Sequence, residues 1–489
     1  MPEPGISASL DPADWSDIRR DGHRMLDDMF DHMETLRDRP LWRAPPPGEL
    51  SETLPRTPTG LLDVHEQFLR SILPYASGNA HPGFMGWVQG GGTPVGMLAE
   101  MLAAGMNANA GGRDHMAIEV ERQMIAWTRD LFGFPATASG LFVTGTSAAN
   151  FIGVLAARTR ALGAAVRGRG LTAMGRHLIA YTSDAAHGCI AQAMEMSGLG
   201  RDQLRRIPVD AEQRMRIDLL RLAIDTDRAA GLDPFLLIGT AGTVDVGAVD
   251  DLPALGRLAA DERLHFHIDG AFGALAMLAP GLAPGLAGID RADSLAFDWH
   301  KWGQVPYDSG FLLMRDGAWL RRTFAADEAY LRRAERGLAG GDWWPCDYGP
   351  DLSRGFRALK TWFTLKTYGA DAIGDVIVRT IALARHLAAR VALEPALELL
   401  GPVPLNIVCF GYRGAGTGRL NAGDADRLNA EIVADLHEAG RVAPSLTTIG
   451  GRTAIRAAIV NHRTAVEDVE ALVTSVLALG RAAETRLAA

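Results

Sequence analysis

The 489-residue sequence is short of cysteine, of charge imbalance and of uninterrupted apolar runs, and each shortage removes a class of function. Its three cysteines, Cys189, Cys346 and Cys409, are widely separated and odd in number. That pattern builds neither a disulfide framework nor a zinc cluster, so a reducing, cytoplasmic location is expected and no metal is. The net charge of −9 is modest for this length and the basic residues are dispersed. Nothing there recommends a nucleic-acid or membrane partner, which leaves a small molecule as the default. One stretch, residues 270–289, is uncharged over membrane-spanning length, but five glycines and two prolines interrupt it. It reads as a loop with short helices packed inside a protein. The opening Met-Pro-Glu-Pro-Gly-Ile has no basic or apolar region of the secretory kind, and no signal is expected.

What is present is the composition of an ordinary globular protein, 47% apolar and 22% charged, in a chain long enough for two or three domains. Residues 11–40 place Trp15, Ile18, Met25, Leu26, Met29, Met33 and Leu36 at helical spacing before Ala44-Pro45-Pro46-Pro47-Gly48 breaks the pattern. An amphipathic helix that far from a core needs something to pack on, and a partner subunit is the candidate. From about 95 to 315, apolar runs alternate with stretches long enough for helices. The runs are Leu141–Val143, His177–Tyr181, Phe235–Gly239, His265–Ile268, Ser294–Phe297 and Gly310–Met314. This predicts an α/β domain with a mainly parallel sheet. A helical region near 356–395 precedes strand candidates at Asn406–Tyr412 and Ala454–Val460 and helices at 423–438 and 464–486, the pattern of a small α+β domain.

The chemistry starts from Lys301, in Asp298-Trp299-His300-Lys301-Trp302, and Asp269, in His267-Ile268-Asp269-Gly270-Ala271. A lysine amine forms a Schiff base, and an upstream carboxylate keeps a pyridine nitrogen protonated; together they are what pyridoxal 5'-phosphate (PLP) requires. An apolar strand ahead of Lys301 and two aromatic neighbours are expected to desolvate the amine and lower its pKa. Thr144-Gly145-Thr146-Ser147-Ala148-Ala149-Asn150 lies between the run Leu141–Val143 and a helical stretch. Backbone N–H groups and the helix dipole meet an anion there, and the Thr146 and Ser147 hydroxyls add donors. His187 follows another predicted strand and is placed to stack on a ring. Singly, each has a structural reading: an N-cap, a hydrogen-bonded aspartate, a core histidine, a solvated lysine. Their order, each at the C-terminal edge of a predicted strand, points to one ligand site.

These motifs, together with His81-Pro82-Gly83-Phe84 and the run from Asp293-Ser294 to Tyr307-Asp308, make the chain resemble the group II PLP-dependent amino-acid decarboxylases, the aromatic L-amino-acid decarboxylase-like branch of fold type I. The resemblance implies a seven-stranded, mainly parallel sheet with helices on both faces, an N-terminal helical segment and a small C-terminal α+β domain. It divides the chain into 1–90 (dimerisation), 91–375 (PLP-binding) and 376–489 (small domain), and it implies a homodimer with active sites at the interface. Lys301 would carry PLP as a Schiff base, Asp269 would pair with the ring nitrogen, and Ala271 would support one ring face. His187 would stack on the other face and counts among the catalytic groups. Thr146 and Ser147 would hold the phosphate, and His300 and Asp298 would flank the coenzyme. Asp298 beside a phosphate has to be protonated or paired.

In the family a loop tyrosine ahead of a Phe-Arg-x-Leu-Lys helix returns a proton to the substrate. Here the helix starts Phe356-Arg357-Ala358-Leu359-Lys360, and Tyr348 is the counterpart. The resemblance also puts Trp87, Gln89, Asn109 and Arg113 at the substrate, with Gly86, Ala108 and Ala110 where relatives carry bulkier residues. The expected reaction is decarboxylation of an L-amino acid, aromatic by preference, to the amine and CO₂. Oxidative decarboxylation to an aldehyde, retro-aldol C–C cleavage and, through Arg113, decarboxylation of an acidic amino acid stay open. A PLP-sensing binding module is the non-enzymatic alternative. No basic helix-turn-helix pattern supports it, and both Lys301 and Tyr348 are retained.

Overall fold

The computed structural model describes residues 10–12, 14–50, 53–326, 332–414 and 420–488, so the opening hexapeptide lies outside the described residues. Strand β1 (Phe84–Met85) precedes seven strands of one sheet: β2 (Ser139–Val143), β3 (Leu178–Ser183), β4 (Leu204–Ile207), β5 (Asp233–Thr240), β6 (His265–Asp269), β7 (Ser294–Asp298) and β8 (Gly310–Met314). Their spatial order is β2-β8-β7-β6-β5-β3-β4. Only β8 runs antiparallel to its neighbours, β2 and β7; the other pairings are parallel. All six strands read from the sequence are present. The seventh, β4, is an edge strand whose two arginines hide its pattern.

The parallel strands form because both faces are covered. On β5, Leu236, Leu237 and Ile238 are wholly buried. Helices pack on opposite faces, so consecutive residues of such a strand are apolar rather than alternating. Full burial of each such side chain stabilises the fold by about 1.5–3 kcal/mol before entropy is counted. Residues 270–289 form short 3₁₀ turns at Gly273–Leu278 and Ala283–Leu286, as their glycines and prolines predict.

Strands β9 (Leu397–Leu399), β10 (Ile407–Tyr412), β11 (Ala443–Ile449) and β12 (Arg452–Ala458) form a second sheet with its own core. Strand β1 joins it parallel to β11, pairing Phe84 with Ala443. The N-terminal helix spans Trp15–Glu34 and is capped by Asp14, whose carboxylate accepts the Ser16 N–H at 2.8 Å. None of its residues is buried, and Trp15, Ile18 and Phe30 are exposed. Among the described residues, no helix is long and apolar enough to cross a membrane.

One buried ion pair ties the sheet to the segments around the pocket. Glu121, on the helix Met116–Leu131, accepts from Arg354 at 2.6 and 3.0 Å and from the Phe142 N–H of β2 at 3.0 Å. Arg354 also donates to the carbonyls of Ala110 and Phe142. Both side chains are almost fully enclosed. Removing one partner strands a charge, so Glu121→Leu should cost about 3–5 kcal/mol, read as a lower thermal midpoint of the apoprotein. The double variant Glu121→Leu/Arg354→Leu should recover part of that loss. A single variant with the parent's midpoint would show that the pair is not what holds these segments.

Candidate active site

The pocket lies at the C-terminal ends of β2, β3, β5, β6 and β7, where an open α/β sheet binds ligands. Its volume is about 380 Å³, and its lining includes Thr146, Ser147, His187, Asp269, Ala271, Asp298, His300 and Lys301. The eight residues predicted to bind the coenzyme are therefore brought together around one cavity.

Lys301 is positioned by the turn after β7. Trp299 and Trp302 are buried on the core side, and Trp302 Nε1 donates to Thr380 Oγ1 at 3.0 Å. His300 and Lys301 are left on the pocket side. The Lys301 Nζ sits 2.8 Å from Asp298 Oδ2, and the other Asp298 oxygen accepts the Thr146 N–H at 2.7 Å. Asp298 is thus paired twice, by an ammonium and by the first N–H of the helix Thr146–Leu162. This corrects one expectation. Burial does work to lower the Lys301 pKa, but Asp298 at hydrogen-bond distance, reinforced by Asp269, outweighs it and the net shift is upward.

Asp269 ends β6 and is buried. Burial drives its carboxyl above the ordinary range, against the opposing pull of Lys301, the Ala271 N–H at 3.1 Å and Asn150 Nδ2 at 3.0 Å. A buried carboxylate held this way, with no countercharge in direct contact among the described residues, is an acceptor suited to an N–H⁺ group. His187 lines the pocket with its Nδ1 accepting the Cys189 N–H at 3.1 Å. His300 Nδ1 accepts the Ser309 N–H at 2.9 Å, and its ring lies 4.2 Å from that of Tyr307. Burial lowers the His300 pKa despite Asp298 nearby.

Of the predicted substrate contacts, Trp87 and Gln89 line the pocket. Within one chain Asn109 and Arg113 do not. Asn109 Oδ1 accepts the N–H groups of Gly111 and Arg354, each at 3.0 Å, and Arg113 lies over the Trp344 ring at 4.6 Å. Tyr348 is likewise outside the pocket of its own chain; it packs on the cluster around Leu141 and Ile152, 5.5 Å from the Trp343 ring. Sequence reasoning gave no role to Asn150, His267, Thr240 or Arg456. Asn150 and His267 had a readable signal: Asn150 stands one helical turn after Thr146, and His267 is two residues before Asp269 on the same strand face. Arg456 lines the pocket from the second sheet, buried and donating to the carbonyls of Trp87 and Val244.

The residues fit PLP. Among the described residues, Thr146 Oγ1, Thr240 Oγ1 and Gln89 Oε1 are buried without a hydrogen-bond partner, and all three residues line this cavity. Unpaired buried polar atoms beside a helix N-terminus, an amine and a carboxylate are the donor and acceptor set of a phosphorylated, aldehyde-bearing pyridine.

Comparison with known proteins gives the same answer. The pyridoxal-dependent decarboxylase conserved domain matches residues 47–413. An aromatic-L-amino-acid decarboxylase of Bacillus atrophaeus is 31% identical over 478 residues, 95% of either chain. A phenylacetaldehyde synthase of Arabidopsis thaliana is 28% identical over 472 residues, 94% of either chain. The crystal structure of Oryza sativa TDC with PLP and tryptamine superposes with a TM-score of 0.89, covering 97% of this chain and 99% of that one at 24% identity, a likeness of fold. The chain therefore belongs to the pyridoxal-dependent decarboxylase family: it is an enzyme, a carboxy-lyase that uses PLP to remove CO₂ from an amino acid.

Proposed function

We propose that the substrate is an aromatic L-amino acid, released as its amine, and that the predicted residues take the following parts. Lys301 holds the coenzyme as a Schiff base and afterwards handles the proton at the substrate Cα. Asp269 keeps the ring nitrogen protonated. Thr146 and Ser147, with the N-terminus of their helix, take the phosphate, while Ala271 and His187 enclose the ring and His300 and Asp298 flank it. Bound PLP supplies a sink for the electron pair left at Cα when CO₂ departs. The observation that carries the reading is the joint placement of Lys301, Asp269 and the Thr146 helix N-terminus around one cavity. The Asp298–Lys301 pair meets the requirement that a carboxylate near a phosphate be compensated.

Trp87 offers an aromatic wall and Gln89 an unpaired amide oxygen, which supports a bulky, polar-substituted aromatic side chain. Arg113, on which an acidic substrate rested, is engaged with Trp344 instead. The homodimer belongs to the same proposal, supported by a 20-residue N-terminal helix with no buried residue. So do the division at 90/91 and 375/376 and the cytoplasmic location, the latter supported by three free cysteines. Since Tyr348 lies outside the pocket of its own chain, its proton would serve the site of the partner subunit. Release of an aldehyde is the second reading, favoured by the likeness to the phenylacetaldehyde synthase of Arabidopsis thaliana, with the retained Tyr348 counting against it.

Lys301→Ala should lower CO₂ release by about 10³-fold or more and abolish borohydride-reducible coenzyme. A coloured, active variant would reject Lys301. Tyr348→Phe should slow amine formation by about 10²-fold and, with dissolved O₂ as the oxidant and water as co-reactant, release ammonia and hydrogen peroxide with the aldehyde. Unchanged amine output would assign the proton to Lys301 alone. A screen of aromatic and acidic amino acids should give CO₂ and amine with the aromatic ones; turnover confined to glutamate or aspartate would overturn the substrate class.

A further inference from the structure

Behind Asp269 a row of buried polar side chains runs back along β6 to the surface. Asn150 Nδ2 donates to Asp269 Oδ2 at 3.0 Å, and Asn150 Oδ1 is 2.8 Å from His267 Nε2. His267 Nδ1 is 2.7 Å from Ser294 Oγ, which is 2.8 Å from His265 Nε2. His265 Nδ1 is 3.4 Å from Arg160 NH1, and Arg160 pairs with Asp293 at 2.9 Å. Asn150, His267, Ser294 and His265 are buried; Arg160 reaches solvent.

The ends of this row fix the direction of every bond. A guanidinium only donates, so His265 Nδ1 must accept and His265 Nε2 carries the hydrogen. Ser294 accepts that hydrogen and gives its own to His267 Nδ1. His267 is then protonated at Nε2, donates to Asn150 Oδ1, and leaves the Asn150 amide N–H₂ facing Asp269. A carboxylate only accepts, so the far end demands the same sense. In the opposite sense a protonated Asp269 would donate to Asn150, and the reversal would end with His265 Nδ1–H against an Arg160 N–H. Burial keeps both rings neutral, with His265 pushed down to about 4 and His267 to about 3, so each has one hydrogen to orient. The packing makes room for the row: a Cβ at Gly153 would lie 2.9 Å from the His267 ring.

We propose that Asn150, His267, Ser294, His265 and Arg160 form a one-way hydrogen-bond relay that holds Asp269 as a carboxylate aimed at the ring nitrogen of the coenzyme. The five are positioning residues, and the relay rests on the reading of Asp269 given above. Aligned donors polarise one another, so the whole row acts on the carboxylate rather than Asn150 alone.

The test is the ¹⁵N resonance of holoenzyme loaded with ring-¹⁵N PLP. Asp269→Asn should move it toward the unprotonated position. Ser294→Ala, which cuts the row between the two rings, and Arg160→Leu, which frees its outer end, should move it in the same direction by less. For both, kcat should fall by about tenfold with KM within about twofold, because the row acts on the ring through Asp269 and does not reach the substrate. In apoprotein labelled with ¹⁵N-histidine, His265 and His267 should both be neutral Nε2–H tautomers. A shifted Asp269→Asn with parental Ser294→Ala and Arg160→Leu spectra would overturn the relay and leave the Asp269 reading intact. An unmoved Asp269→Asn would remove that reading and the relay with it. An Nδ1–H tautomer at either histidine would contradict the direction.

Discussion

The site is organised around one ammonium placed among two buried carboxylates. Lys301 touches Asp298 and is held near Asp269; His300 Nε2 lies 3.7 Å from Asp298 Oδ2, but burial favours the neutral form of that ring. Burying two carboxylates carries a desolvation cost of several kcal/mol each unless hydrogen bonds and opposite charge answer it. The structure answers with backbone N–H groups from Thr146 and Ala271, an amide from Asn150 and the amine itself. The lysine is therefore fixed twice over: its backbone by the buried Trp299 and Trp302, its tip by Asp298. A group so restrained loses little further freedom when it reacts.

The helix Thr146–Leu162 links two sides of the cavity. At its start the Thr146 N–H is bonded to Asp298 and the Thr146 hydroxyl is unpaired at the cavity, and Asn150, one turn of about 5.4 Å later, braces Asp269. One rigid element thus sets the separation of the groups that brace Asp298 and Asp269, the kind of spacing a loop would hold less accurately. The same helix places Gly153 under His267, where a side chain would displace the ring. At the start of the helix the close approach comes from the sheet: a Cβ on Gly310 would lie 2.4 Å from Gly145.

Much of this was legible from the residues. Central strands such as β5 and β7 are apolar runs closed by Thr240 and Asp298, and their order gave the α/β class directly. Strand β4 was missed because Arg205 and Arg206 lie at a half-covered edge, and β11 because Pro444 and three hydroxyl residues blur its alternation. Asn109 and Arg113 are placed at the substrate by the resemblance, and within one chain they lie outside the pocket. Positive φ at Asn107 and Arg113 turns this segment toward Arg354 and Trp344 instead. The lowered Lys301 pKa failed because desolvation was readable in its aromatic neighbours while the geometry of Asp298, three residues back, was not.

The division of labour on β6 explains why polar groups in the core do not cost this fold its stability. Phe266 and Ile268 point to one side and pack in the main core with Leu252 and Leu255, while His265, His267 and Asp269 point to the other and bond in sequence. Strand parity keeps the two sets apart, so hydrophobic burial is continuous on one face and hydrogen bonding is continuous on the other. A buried polar row is tolerable only when every member is satisfied, and a break leaves an unpaired group at the cost of its full desolvation. His267 needs both Ser294 and Asn150 for that reason, and the registers that bring them there are sheet-wide: His267 pairs with Ser294 across β6 and β7, and Gly153 admits the ring beneath. The chemistry at Asp269 is in this sense a property of strand register, set before any ligand enters the pocket.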